Sequence, residues 1–197
     1  MSSKRLLGLC GWLVLAGCLG AGTAGAEEPA KAAKPRDLVV FYSYTGKTAL
    51  VGKTLADLLK AEAVRIEDVE RPSRERAYGA GREASLKGES WPIRPVEADV
   101  ARYDRVFLGC PVWFGLPPPP FNAFLEQVNL TGKQVVVFVT LGGGAYDKAI
   151  QALTDKAAAR GGRVVASFHV RTQSVSDDAL IAKASELARQ YGADAAP

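Results

Sequence analysis

Five apolar runs divide the chain from residue 37 onward. The first is Leu38, Val39, Val40 and Phe41, and the others begin at Ala63, Arg105, Gln134 and Arg163. Short runs of this kind, bounded by turn residues, read as strands. Between them the apolar positions recur at helical spacing. After the first run Val51, Leu55, Leu58 and Leu59 make one stripe while Lys53, Asp57 and Lys60 point elsewhere, which predicts a helix from about Lys47. Leu180, Ala184, Leu187, Ala188 and Tyr191 repeat the stripe near the end. Such alternation of strand and helix predicts a parallel sheet covered by helices on both faces.

The runs differ in a way that predicts their order. Residues 38–41, 106–108 and 135–139 are unbroken apolar stretches, as expected of strands buried on both faces. Val64-Arg65-Ile66-Glu67 alternates instead, and residues 163–170 do so more loosely, which marks partly exposed edges. Strands one, three and four inside, with two and five outside, are what a doubly wound five-stranded parallel α/β sheet of order 2-1-3-4-5 requires, an arrangement that several open sheets share. The longest connection, residues 70–104, holds one predicted helix near residues 75–86. A proline-containing segment around Trp91 follows, with Trp91 expected to pack its own loop onto the core.

The amino-terminal residues follow a different pattern. Lys4 and Arg5 precede an uncharged apolar run, residues 6–17, which has the form of an export signal and is too short to span a bilayer. Two cleavage patterns compete. Leu15-Ala16-Gly17-Cys18 resembles the lipobox of bacterial lipoproteins, in which Cys18 would be lipidated, and Ala24-Gly25-Ala26 fits ordinary A-x-A cleavage. The end of the run at Cys18 favours the lipobox. An unprocessed membrane anchor is a third option. Residues 18–36 have almost nothing to bury and read as a flexible tether, so the expected division is signal 1–17, tether 18–36 and domain 37–197. The protein is expected to be exported, periplasmic and lipid-anchored to a membrane.

Composition adds two constraints. Lys4 and Arg5 account for two of the 25 basic residues, so a processed chain carries 23 against 21 acidic ones, a net charge of +2. No Lys/Arg cluster interleaved with aromatics occurs, and we expect no nucleic-acid partner. With Cys10 and Cys18 in the leader, Cys110 is the only cysteine of the domain, so its fold is expected to rest on its core.

Candidate chemistry lies on three loops. In doubly wound sheets ligands bind beyond the carboxyl ends of the strands, at the switch in strand order, here between strands one and three. The first loop is Ser43-Tyr44-Thr45-Gly46-Lys47-Thr48, where a strand turns into a helix whose first N–H groups and hydroxyls suit a phosphate. Capping of the helix by Ser43 or Thr45 is the competing reading. A nucleoside-triphosphate loop is excluded, because its first glycine would have to be residue 41, which is Phe41. The second loop, Pro111-Val112-Trp113-Phe114-Gly115, places two large aromatics where they can wall a flat ring. The third, Thr140-Leu141-Gly142-Gly143-Gly144-Ala145-Tyr146, lets backbone pass close to a ligand or makes a flexible turn. His169 and Cys110 are expected to be structural rather than catalytic, Pro117 to Pro120 to start the next helix, and no metal site is expected.

These residues carry a resemblance. Ser43-Tyr44-Thr45-Gly46-Lys47-Thr48 matches the flavodoxin phosphate pattern, and Tyr103-Asp104 with the stretch from Val106 to Gly115 resembles the same family's Y-D-x-I-x-x-G-x-P-[IV]-W-W-G segment. The likeness covers residues 37–190 and implies a flavodoxin-like α/β fold, a doubly wound five-stranded parallel sheet of order 2-1-3-4-5. It implies noncovalent FMN, with phosphate on residues 43–48 and the isoalloxazine against residues 111–115 and 140–146. Cofactor-binding residues on this basis are Ser43, Tyr44, Thr45, Gly46, Lys47, Thr48, Pro111, Val112, Trp113, Phe114, Gly115, Thr140, Gly142, Gly143, Gly144 and Tyr146. Trp113 is the ring expected to stack, and Phe114 replaces a frequent second Trp. The near-neutral charge departs from the acidic character of electron-transferring flavodoxins. The implied function is electron transfer through FMN at the cell envelope, with a redox protein or quinone as partner. Two alternatives stay open: an FMN-dependent NAD(P)H or quinone oxidoreductase, and a tethered module that has lost flavin.

Overall fold

The apolar run at residues 38–41 becomes β1 (Asp37–Tyr42), buried at every residue. The computed structural model describes residues 35–193, so the export run, Cys18 and all but the end of the tether lie outside the described residues. After β1 come α1 (Lys47–Leu59), β2 (Glu62–Ile66), α2 (Arg74–Tyr78), α3 (Ala80–Lys87), β3 (Arg105–Pro111), α4 (Pro119–Gln127), β4 (Gln134–Leu141), α5 (Asp147–Ala159), β5 (Arg163–Arg171) and α6 (Asp177–Ala193). The five strands are parallel and ordered β2-β1-β3-β4-β5, as the hydrophobic runs predict.

Alternate side chains of each strand feed two cores. On one face Leu38, Val40, Val106, Leu108, Val137 and Val139 pack under Phe121, Phe124 and Leu125 of α4 and Leu153 of α5. On the other, Val39, Phe41, Phe107, Val136 and Phe138 meet Val51 and Leu55 of α1 and Leu180, Ala184 and Leu187 of α6. Gly109 of β3 leaves room for this second layer, since a Cβ there would lie 1.9 Å from the Phe138 ring. A bulge at Val165 shifts the β4–β5 register by one residue.

Two local features depart from expectation or extend it. The single helix expected near residues 75–86 is two helices, broken at Gly79, whose φ of −89° and ψ of −93° are not helical. At the amino ends of the strands Arg105 reaches Asp37 through Nε and Nη2, both at 2.8 Å, and donates Nη1 to the Tyr191 carbonyl at 3.1 Å. This buried, bidentate pair joins β1, β3 and α6 at the sheet edge opposite the three candidate loops.

Candidate functional site

The turn between β1 and α1 leaves the Lys47 and Thr48 N–H groups without a partner among the described residues, while the Ser43, Tyr44 and Gly46 carbonyls are each held. The α1 ladder opens with the Leu50 N–H on the Gly46 carbonyl at 2.9 Å, and the Ala49 N–H donates to Ser43 Oγ at 3.0 Å. The N–H groups of Lys47 and Thr48 precede that first rung and are left for an outside acceptor. Gly46 stands at the N-cap with φ 95°, a backbone that costs glycine little, and it is Ser43 Oγ that caps the first turn, as the competing reading expected, taking only the Ala49 N–H. The turn's carbonyls are held by cations: Arg65 donates to the Ser43 carbonyl at 3.0 Å and Arg71 to that of Tyr44 at 2.9 Å. Lys47 pairs with Asp177 of α6 at 2.6 Å. Thr48 and Thr140 share a buried hydroxyl hydrogen bond of 2.7 Å, which ties this turn to the carboxyl end of β4.

Beside the turn lies a cleft of about 520 Å³. Its aromatic wall begins in a tight turn. Trp113 and Leu116 exchange backbone hydrogen bonds of 2.9 and 3.0 Å, and Phe114 and Gly115 between them hold φ 52° and 84°, positive at both positions as in a type I′ turn. Trp113 points back toward the sheet, edge-on to Tyr42, Tyr44 and Trp91 at 6.3, 5.5 and 6.2 Å. Trp91 thus holds its loop against Trp113 and not, as expected, directly against either core. Phe114 points outward and meets Tyr78. Behind the cage Tyr42 donates to Asp68 at 3.0 Å. Burial, and then the charge of Asp68, push the Tyr42 phenol far up, while burial raises the Asp68 carboxyl above its usual range.

Of the sequence-predicted residues, Tyr44, Thr45, Lys47, Pro111, Val112, Trp113, Phe114, Thr140 and Gly142 line this one cleft. Ser43, Gly46 and Thr48 shape the turn behind it. Gly115, Gly143, Gly144 and Tyr146 do not line it; Tyr146 stacks instead on His169 at 3.7 Å. Burial holds His169 below its ordinary value, and it pushes the thiol of the fully buried Cys110 well up. Sequence reasoning missed Arg74, Ala77 and Tyr78 of α2, and Thr172 beyond β5, all of which line the cleft. Thr172 follows the carboxyl end of a strand, and that position was a usable signal. Nothing in the amphipathic pattern of α2 showed that it would lie across the sheet edge.

Comparison with known proteins fits this arrangement. The flavodoxin family profile matches residues 36–180, and the chain belongs to that family. No curated protein matches it. Among solved structures, a flavoprotein from Lactobacillus acidophilus NCFM in complex with FMN is similar at 21% identity. It covers 77% of this chain and 99% of its own, with a TM-score of 0.60. Oxidised Flavodoxin 2 from Bacillus cereus is 18% identical, covering 81% of this chain and 99% of its own, at a TM-score of 0.55. A protein from Bacteroides uniformis ATCC 8492 is 20% identical, covers 79% and 96%, and has a TM-score of 0.63. At these identities the likeness shows the fold.

Proposed function

We propose that this flavodoxin-family chain binds FMN noncovalently and passes electrons at the cell envelope. The observation that carries the reading is a meeting at one sheet edge: open N–H donors at the start of α1 adjoin a cleft walled by Trp113. The FMN held by the Lactobacillus neighbour supports assigning the same ligand here. The residues present suit it. Thr45 Oγ1 and the N–H groups of Lys47 and Thr48 would take the phosphate, with the Lys47 ammonium and the positive end of the α1 dipole beside it. Trp113, Val112, Leu141 and Gly142 would flank the flat ring. FMN itself supplies the redox chemistry when bound. The chain binds and orients: Arg65 and Arg71 keep the turn's carbonyls turned away from an anion, and the Thr48–Thr140 bond fixes the phosphate turn against the third loop.

The envelope part of the proposal is supported by the export pattern and the lipobox ending at Cys18. Nicotinamide nucleotides are expected to stay in the cytoplasm, so the donor in that compartment is a redox protein or a quinone. Exposed Gly142, Gly143 and Gly144 leave space beside the cleft. That space favours, as a second reading, an FMN-dependent NAD(P)H or quinone oxidoreductase, which NAD(P)H oxidation by the loaded protein would reveal.

Titration of FMN with the protein, watched by flavin fluorescence, tests the central claim. Saturable quenching at one FMN per chain is expected, and unchanged fluorescence at excess protein would sink it. Cys18→Ala is expected to move the protein from the membrane fraction to the soluble one. If the variant stays with the membrane, the lipid anchor is wrong.

A further inference from the structure

We infer that the mouth of the cleft is a docking face for an acidic redox protein, an inference that rests on the reading above. Four side chains form it. Tyr78 and Phe114 meet edge-on with centroids 6.0 Å apart. Arg74 lies over the Tyr78 ring at 5.7 Å and Arg82 over the Phe114 ring at 5.8 Å. Arg74, Tyr78 and Phe114 line the cleft itself, so whatever rests on this quartet stands next to the site.

Exposure and charge both point outward. Tyr78 is 62% and Phe114 41% exposed, two of the large apolar side chains left in water. Phe114 is also kept at φ 52°, a left-handed backbone that a bulky residue adopts at a cost. The turn thus holds an aromatic ring out into solvent against both its hydration and its backbone preference. The cleft is lined by Lys47 and Arg74, and no carboxylate lines it. The acidic residues of the same segment, Glu70, Glu75 and Glu83, stand off the lining, with Glu70 facing Arg76 at 3.9 Å. Lys47 is paired with Asp177, so the positive charge offered to an anionic partner is that of Arg74 and Arg82, which attracts it and sets its orientation.

The occupant is a protein rather than a small molecule because Tyr78 and Phe114 line the cleft and yet stay largely exposed, so that a partner broader than the cleft is needed to cover them. Tyrosine and arginine dominate the energetic centres of protein interfaces. Redox encounters use small faces steered by charge, and a four-residue quartet beside the cleft suits such a face.

The test uses two redox proteins of opposite charge, an acidic plant-type ferredoxin and basic cytochrome c. Each is titrated into the full chain while the Tyr78 and Phe114 ring resonances are followed by NMR. The ferredoxin should broaden them at low salt, lose the effect as salt is raised, and bind about tenfold more weakly to Arg82→Glu. Arg82 is not a lining residue, and FMN titration of the same variant should be unchanged. Failure of FMN to bind wild type would defeat the earlier reading without touching the NMR result. Preference for cytochrome c, or ferredoxin binding indifferent to Arg82→Glu, overturns the docking face. So does Arg82-dependent binding of anthraquinone-2,6-disulfonate in the absence of ferredoxin binding, which would assign the mouth to a small anionic acceptor.

Discussion

Gly81 lets Trp113 lie where it does. A Cβ at this position would fall 2.9 Å from Trp113 Cζ3 and 3.2 Å from Trp91 Cη2. Both obstacles are indole rings, neither of which is the loose end of a flexible chain. Gly81→Ala would gain up to about 1 kcal/mol of helix propensity in α3, but overpacking costs about 1–3 kcal/mol, and the second effect should win. The variant is expected to unfold at lower urea and to displace Trp113 toward the cleft, weakening FMN binding. Stability equal to wild type with unchanged quenching would show that the indole contacts are slack. This contact also marks what could be read in advance. Trp113 itself was legible, because an aromatic between Pro111 and Gly115 at the end of a buried strand has few other roles. The partners that set its angle were not. Nothing in the sequence marks Gly81 as their neighbour, since the closeness of two indoles to it is a tertiary fact.

Among the elements, β1 and β3 are fastened at one end by chemistry and opened at the other for a ligand. Asp37 and Arg105 are buried, and their ion pair also reaches α6 through the Tyr191 carbonyl. Asp37→Ala would strand the guanidinium in the core at a cost of about 3–5 kcal/mol. Lower denaturation midpoints are expected, with FMN affinity unchanged in the fraction that remains folded, because the pair lies at the far edge of the sheet. A loss below about 1 kcal/mol would mean that water reaches Arg105. The elements themselves were largely legible. The β1–α1 junction at Lys47 followed from a strand run meeting a helical stripe, and the start of α4 followed from the prolines before it. The split of the residue 75–86 helix at Gly79 was not, because both halves keep apolar residues at compatible spacing and only the backbone angles of one glycine separate them.

For the whole molecule, the order 2-1-3-4-5 was legible because the sheet's interior and its edges carry different sequence periods. Three strands buried on both faces cannot alternate, and the two edge strands do. The bulge at Val165 was invisible for the complementary reason: one extra residue in an edge strand leaves its alternation nearly intact while shifting its partners. The same burial gives the center of the sheet a built-in clock. Cys110 of β3 is 0% exposed, the one free thiol among the described residues, and burial holds it in its unreactive form. An alkylating reagent can reach its sulfur only when the sheet parts. The rate at which the Cys110 peptide gains a label therefore times the opening of the fold, and a ligand that binds only the closed form slows that clock in proportion to its occupancy.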